Sequence, residues 1–124
     1  MNSQQKTKIQ LFRKLQLSEA TKRRKVFGEL GDFGFEILIV LRDANEDSGN
    51  SGINVSSIAN ILDAPRRTIR RRLSNMEALG WISIEKMKSE TRIEITQLAI
   101  KFLDDWIAES IAANAKEIQR ILEI

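Results

Sequence analysis

A chain of 124 residues that is 42% hydrophobic and 30% charged has the make-up of one globular domain with a modest core, not of a disordered or fibrous chain. It holds no Cys and no His, which excludes disulfides, thiol nucleophiles, imidazole bases and nearly all zinc sites; its longest apolar run, Ile37 to Leu41, is far too short to span a membrane. The net charge of +3 is unevenly placed, with +7 on residues 1–27, −6 on 28–64, +5 on 65–92 and −3 on 93–124. Two basic blocks separated by an acidic one suit a protein that presents a positive face to a polyanion.

With Asp, Glu, Lys and Ser left for chemistry, a hydrolase would need paired carboxylates. The adjacent Asp104 and Asp105 point about 100° apart on a helix. No enzyme activity, cofactor or metal is therefore expected. The opening Met1-Asn2-Ser3-Gln4-Gln5-Lys6 leads into no hydrophobic stretch, so the expectation is a cytoplasmic chain without a secretory signal.

In chain order, residues 1–30 read as a basic helical segment with Ile9, Phe12 and Leu15 as its apolar positions. The run Lys22-Arg23-Arg24-Lys25 reads as a solvated linker, with contact to flanking DNA as the alternative. Asp32 is placed to cap a helix that runs to about Ala44 and is buried through Phe33, Ile37, Leu38 and Leu41. Asn45 to Gly52 is rich in breakers and reads as a surface loop. A short β-like stretch, Ile53-Asn54-Val55, follows. Ser56 then caps a helix over Ser57 to Asp63 whose Ile58, Ile61 and Leu62 share a side. Asp63-Ala64-Pro65 reads as a tight turn, because Pro65 cannot continue a helix but opens one well.

The next helix runs to about Leu79 and stops at Gly80. With Ile69 at 0° on a wheel of 100° per residue, Leu73, Met76 and Leu79 fall on the same side. Arg67, Arg70, Arg71, Ser74 and Asn75 face away, and Arg66 and Arg72 flank the apolar stripe. From Trp81 the period switches to two. Ile82 and Ile84 alternate with Ser83 and Glu85, and Ile93 and Ile95 with Arg92 and Glu94, which predicts a β-hairpin with its tip near Lys88-Ser89-Glu90. Thr96 is placed to cap a last helix of some 28 residues.

A short capped helix, a tight turn and a second helix with five arginines in seven residues make a helix-turn-helix whose second helix enters the DNA major groove. Arg67 and Arg71 are the candidate base readers, since a guanidinium pairs bidentately with guanine O6 and N7. Thr68 and Arg70 add a base or phosphate contact. Ser74 and Asn75 reach the phosphate backbone, and the heads of Arg66 and Arg72 reach phosphates or nearby acids. Lys86, Lys88 and Arg92, on the hairpin, suit phosphates or a narrow minor groove.

Residues 55–98, with the helix Phe35 to Leu41 before them, resemble the DNA-binding core of bacterial winged-helix regulators, most closely the MarR (multiple antibiotic resistance regulator) type. Ala59 matches the small residue where the two helices pack, and Thr68-Ile69 matches a frequent Thr-Val in the reading helix. Met76-Glu77-Ala78-Leu79-Gly80 resembles the Leu-Glu-x-x-Gly that closes it, and Ile95-Thr96 the Leu-Thr that opens the next helix. Glu90-Thr91-Arg92 resembles the wing's Asp-x-Arg; the resemblance implies that the arginine enters the minor groove and the acid holds it. The chain departs from the pattern at Asp63, where Gly is common, at Pro65, where a capping Ser is common, and in a short wing tip without Gly.

On the last helix, Ile100, Leu103, Ile107, Ile111, Asn114, Ile118 and Ile121 are spaced 3.5 residues apart on average, the seam period of packed helices. Leu98, Phe102 and Trp106 lie on another side. The seam is expected to pack on a second copy, together with Ile9, Phe12 and Leu15, the alternative being that the N-terminal helix of the same chain covers it alone; Asn114 within it is the kind of polar residue that fixes register. The sequence thus predicts an α+β, mainly α, single domain over 1–124: an N-terminal segment (1–30), a winged helix-turn-helix core (32–96) and a C-terminal dimerisation helix (97–124). The expected function is sequence-specific binding of double-stranded DNA by a homodimeric transcriptional regulator. A phage or plasmid replication or maintenance protein would use the same arginines, and a protein-interaction module would dock the basic helix on an acidic partner. The operator and any small-molecule effector are not written in the sequence.

Overall fold

Helix periodicity over most of the chain and strand alternation between Trp81 and Ile95 yield five helices and one hairpin in the computed structural model, which describes residues 1–48 and 52–124. The elements are α1 (Ser3–Phe27), a 3-10 turn (Gly28–Leu30), α2 (Gly34–Ser48), α3 (Val55–Leu62), α4 (Arg66–Ala78), β1 (Ile82–Lys86), β2 (Thr91–Ile95) and α5 (Gln97–Leu122). They form two compact units, one of residues 27–103 and one of residues 1–26 with 104–124.

The first unit is a winged helix. Its core is built from Ile37, Leu38 and Leu41 of α2, Ile58 and Ala59 of α3, Ile69, Leu73 and Met76 of α4, the sheet residues Ile82, Ile93 and Ile95, and Ala99 and Leu103 of α5, all buried. Two wheel assignments fail. Leu79 is 46% exposed and Ile61 is 61% exposed; Leu79 sits past the last helical turn, where the wheel no longer applies, and Ile61 lies on the outer side of a helix only two turns long.

Start and stop signals are mostly where expected, with instructive shifts. α2 begins at Gly34, so Phe33, not Asp32, stands before its first residue. Phe33 and Gly31 both have positive φ, 66° and 74°, and Gly34 packs so tightly on Leu30 Cβ that no side chain fits there. At its other end α2 runs on to Ser48, past Ala44, through residues assigned to a loop. Arg42 offsets their poor propensity there, donating to Asn45 Oδ1 at 3.2 Å and pairing with Glu46 at 3.9 Å. The rest of that expected loop, 49–51, lies outside the described residues.

Ile53 forms a bridge with Ile93, its N–H donating at 3.1 Å and its carbonyl accepting at 2.8 Å. α3 then starts two residues early. Asn54, not Ser56, is the cap, its Oδ1 accepting from the Ser57 N–H at 2.8 Å. Asp63 ends α3 in the left-handed conformation (φ 50°, ψ 49°), taking the place where Gly is common, and the Ala64 N–H closes on the Ala59 carbonyl at 3.0 Å. Pro65 is extended and precedes α4, its carbonyl accepting the first helical bond from Ile69 at 3.1 Å.

α4 ends in a Schellman motif. Gly80, at φ 86°, donates to Glu77 and Trp81 to Met76, each at 3.0 Å. The hairpin pairs Ile82 with Ile95 through Lys86 with Thr91, and Met87 N–H to Glu90 O at 2.8 Å closes its tip. Thr96 caps α5 as expected, Oγ1 accepting from Ala99 N–H at 3.3 Å and donating back to Gly80 O.

In the second unit α1 carries Lys22 to Lys25 as helix, not linker, with Arg24 and Lys25 in the last turn, where cations favour the helix dipole. Its start is a capping box: Asn2 Oδ1 accepts from Gln5 N–H at 2.8 Å and Gln5 Oε1 from Asn2 N–H at 3.1 Å. The seam on α5 is split: within this unit Ile121 is buried, while Ile111 and Ile118 are exposed. Asn114 lines a groove of about 370 Å³ with Leu11 and Leu15 of the same chain.

Candidate nucleic-acid interface

Burying Ile69, Leu73 and Met76 turns the opposite face of α4 outward, and there Arg66, Arg67, Arg70, Arg71, Ser74 and Asn75 are all exposed, with Thr68 half-buried. Among the described residues, none of Arg66, Arg67, Arg70 and Arg71 makes an ion pair or hydrogen bond. The arrangement costs the isolated protein stability. Arg67 and Arg71 are like charges one turn apart, and Arg66 and Arg67 stand at the positive end of the helix dipole with no acid in the first turn. A polyanion laid along this face would reverse both terms.

Arg72, and Asn75 from the edge of the exposed face, reach back to the protein. Arg72 Nε donates to the Asp32 carbonyl at 2.9 Å and its Nη2 lies 3.8 Å from the Asp32 carboxylate. The Asn75 amide donates to the Glu29 carbonyl at 3.3 Å. Asn75, expected at the phosphate backbone, is thus already engaged within the protein. Further along, Glu77 Oε2 accepts from the Ile84 N–H at 3.0 Å. That N–H lies on the outer edge of β1, since Ile84 pairs with Ile93, whose own N–H and carbonyl are turned to Ile53. The bond ties the wing to α4, and the sequence offered Glu77 only as part of a helix-closing motif.

On the wing, Lys86 and Lys88 are exposed and Arg92 sits 3.7 Å from Glu90. The acid-holds-arginine arrangement implied by the MarR resemblance is present here as a contact. Both side chains keep more than two-fifths of their surface in solvent (42% and 45%), so the pair is worth at most about 1 kcal/mol and leaves Arg92 free to move. Met87, 46% exposed beside Lys88, is an apolar tip residue that strand alternation did not single out.

Four aromatic rings pack together in the same unit. Phe27 lies 4.9 Å from Phe35, 5.9 Å from Trp81 and 5.8 Å from Phe102 between ring centroids, and Trp81 and Phe102 meet edge-on at 5.4 Å. No described group of His, Cys, Asp and Glu gathers three residues in a metal-binding arrangement. No described helix is long and apolar enough to cross a membrane.

No family model matches the chain, and no curated protein matches it. Solved structures do. MepR, a transcription regulator of the Staphylococcus aureus multidrug efflux pump MepA, superposes with a TM-score of 0.69 at 17% identity, covering 89% of this chain and 81% of that one. The MepR chain of a MepR–DNA complex gives 0.65 at 18% identity, over 92% and 97%. NadR in complex with 4-hydroxyphenylacetate gives 0.58 at 20% identity, over 87% and 77%. The chain therefore shares the winged-helix fold of these solved structures, with the long C-terminal helix included.

Proposed function

We propose that the chain is a sequence-specific, double-stranded DNA-binding regulator of transcription that acts in the cytoplasm as a homodimer. The observation that carries this reading is the outer face of α4, where Arg66, Arg67, Arg70 and Arg71 are exposed and unpaired within six residues of the helix start. Helices of this motif meet bases through their N-terminal residues, and Arg67 and Arg71, one turn apart, are the base readers. Arg66, Thr68, Arg70 and Ser74 hold the phosphate backbone, as do Lys86, Lys88 and Arg92 from the wing. The likeness in fold to a MepR chain crystallised with DNA supports the assignment. Each arginine contact is a binding role; no bond is made or broken.

The test is a duplex selected by the wild type from a randomised pool, compared with random-sequence duplex. Arg67→Ala and Arg71→Ala are expected to cost about 1–3 kcal/mol on the selected duplex and to relax base preference, with little change in stability. Unchanged affinity and preference in both variants would remove α4 from the groove. Genome-wide footprinting then separates regulation, with sites at promoters, from replication, with sites at an origin.

A further inference from the structure

Of the five arginines on α4, one is spent on the protein. The Arg72 side chain is 22% exposed and lies across the backbone of Gly31, where a Cβ would meet Nη1 at 2.6 Å. Its Nε is fixed on the Asp32 carbonyl at 2.9 Å, and the Asn75 amide, one turn on, is fixed on the Glu29 carbonyl at 3.3 Å. The acceptors belong to one short segment, Glu29 to Asp32, whose path needs a left-handed Gly31 (φ 74°, ψ −171°) and is followed by a left-handed Phe33. A backbone held this far from the common regions persists only where surrounding contacts determine it. The two donors on α4 are such contacts.

We infer that Arg72 and Asn75 are positioning residues: they clamp the reading helix to the Glu29–Asp32 backbone and set its rotation, so that Arg67 and Arg71 meet base edges in register. The Asp32 carboxylate contributes little, because it is 89% exposed and its pairing is screened. The clamp acts through the backbone carbonyls. Arginine suits it because Nε and Nη present fixed donors in a plane, which a lysine ammonium does not reproduce. Base contacts demand placement to a fraction of an ångström, while phosphate contacts tolerate sliding. Losing the clamp therefore lowers specificity before it lowers affinity for DNA in general.

This inference rests on the proposed DNA-binding reading, and the experiment separates the two. Affinities of Arg72→Ala, Arg72→Lys, Asn75→Ala and Asp32→Ala are measured on the wild-type-selected duplex and on random duplex over a salt series, at a temperature where circular dichroism shows every variant folded. Arg72→Ala, Arg72→Lys and Asn75→Ala are expected to lower the ratio of selected to random affinity roughly tenfold, within the range that one misaligned bidentate base contact costs. Their salt slopes on random duplex should match the wild type, and Asp32→Ala should keep the wild-type ratio. A slope that falls by about one in Arg72→Ala and returns in Arg72→Lys makes Arg72 a phosphate contact and overturns the clamp. An unchanged ratio with a lowered melting temperature makes it a structural tie only, which also overturns it. A wild type that binds no duplex in a salt-dependent way overturns the DNA-binding reading and this inference with it.

Discussion

Gly31 and Asp63 both hold the chain at positive φ, but they differ in what a side chain would meet. Asp63, at φ 50° and ψ 49°, occupies the small left-handed well that Asp tolerates, and it already carries a Cβ. Gly31, at φ 74° and ψ −171°, lies in a region that is nearly glycine's alone, with the Arg72 guanidinium against the place a Cβ would take. Gly31→Ala is therefore expected to cost about 1–3 kcal/mol, read as a lower midpoint in urea at unchanged slope. Asp63→Gly should be neutral or gain up to about 1 kcal/mol. The tight turn at Asp63 was legible in the sequence because Asp, Ala and Pro stand together after an apolar run. Gly31 and Phe33 were not, because nothing in their neighbours announces a reversal that tertiary packing imposes. The partners of Arg72 and Asn75 lie 40 and 46 residues away, beyond the reach of any local pattern.

At the scale of elements the periods carried most of the fold. Ile69, Leu73 and Met76 recur at helical spacing and are buried; Ile82, Ile93 and Ile95 recur at strand spacing and are buried. The caps were less legible. Asn54 and Ser56 are both good caps two residues apart, and sequence cannot choose between them where the chain must also bring Ile53 against Ile93. The wing's role is an element-level prediction. Arg92 and Glu90 form a weak, solvated pair, so Arg92 gives up little to reach a phosphate, whereas Lys88 at the tip is held by nothing described. Arg92→Ala is expected to weaken binding to most sequences alike and to lower the slope of log affinity against log salt by about one. Lys88→Ala should do less. An unaltered slope for Arg92→Ala would place the wing off the DNA.

The whole molecule is where the seam on α5 must be accounted for. Seam residues Leu103 and Ile121 are buried within the single chain, and Asn114 lines a groove with Leu11 and Leu15 of the same chain, so the full seam is not an interface between copies. What stays open on the helices of this unit is Ile111 (65% exposed), Ile118 and Leu122 on α5, spaced seven and four residues and hence on one face, and Ile9, Phe12 and Leu17 on α1. Six large apolar side chains are thus exposed on the two helices of this unit, and a second copy covering the α5 face by a twofold axis would bury that face against its own image. Asn114 then has a different part from the register-setting one its position in the seam predicts. Asn114→Leu should fill the groove inside the chain and raise stability without altering stoichiometry. Ile111→Glu and Ile118→Glu, at positions already in solvent, should leave the folded chain's melting nearly unchanged while shifting it from dimer to monomer, and should weaken binding to a duplex with two half-sites more than to one. Sedimentation equilibrium decides the matter: a wild type that is monomeric at micromolar concentration would sink the dimer, and one that stays dimeric with both glutamates in place would move the interface off this face.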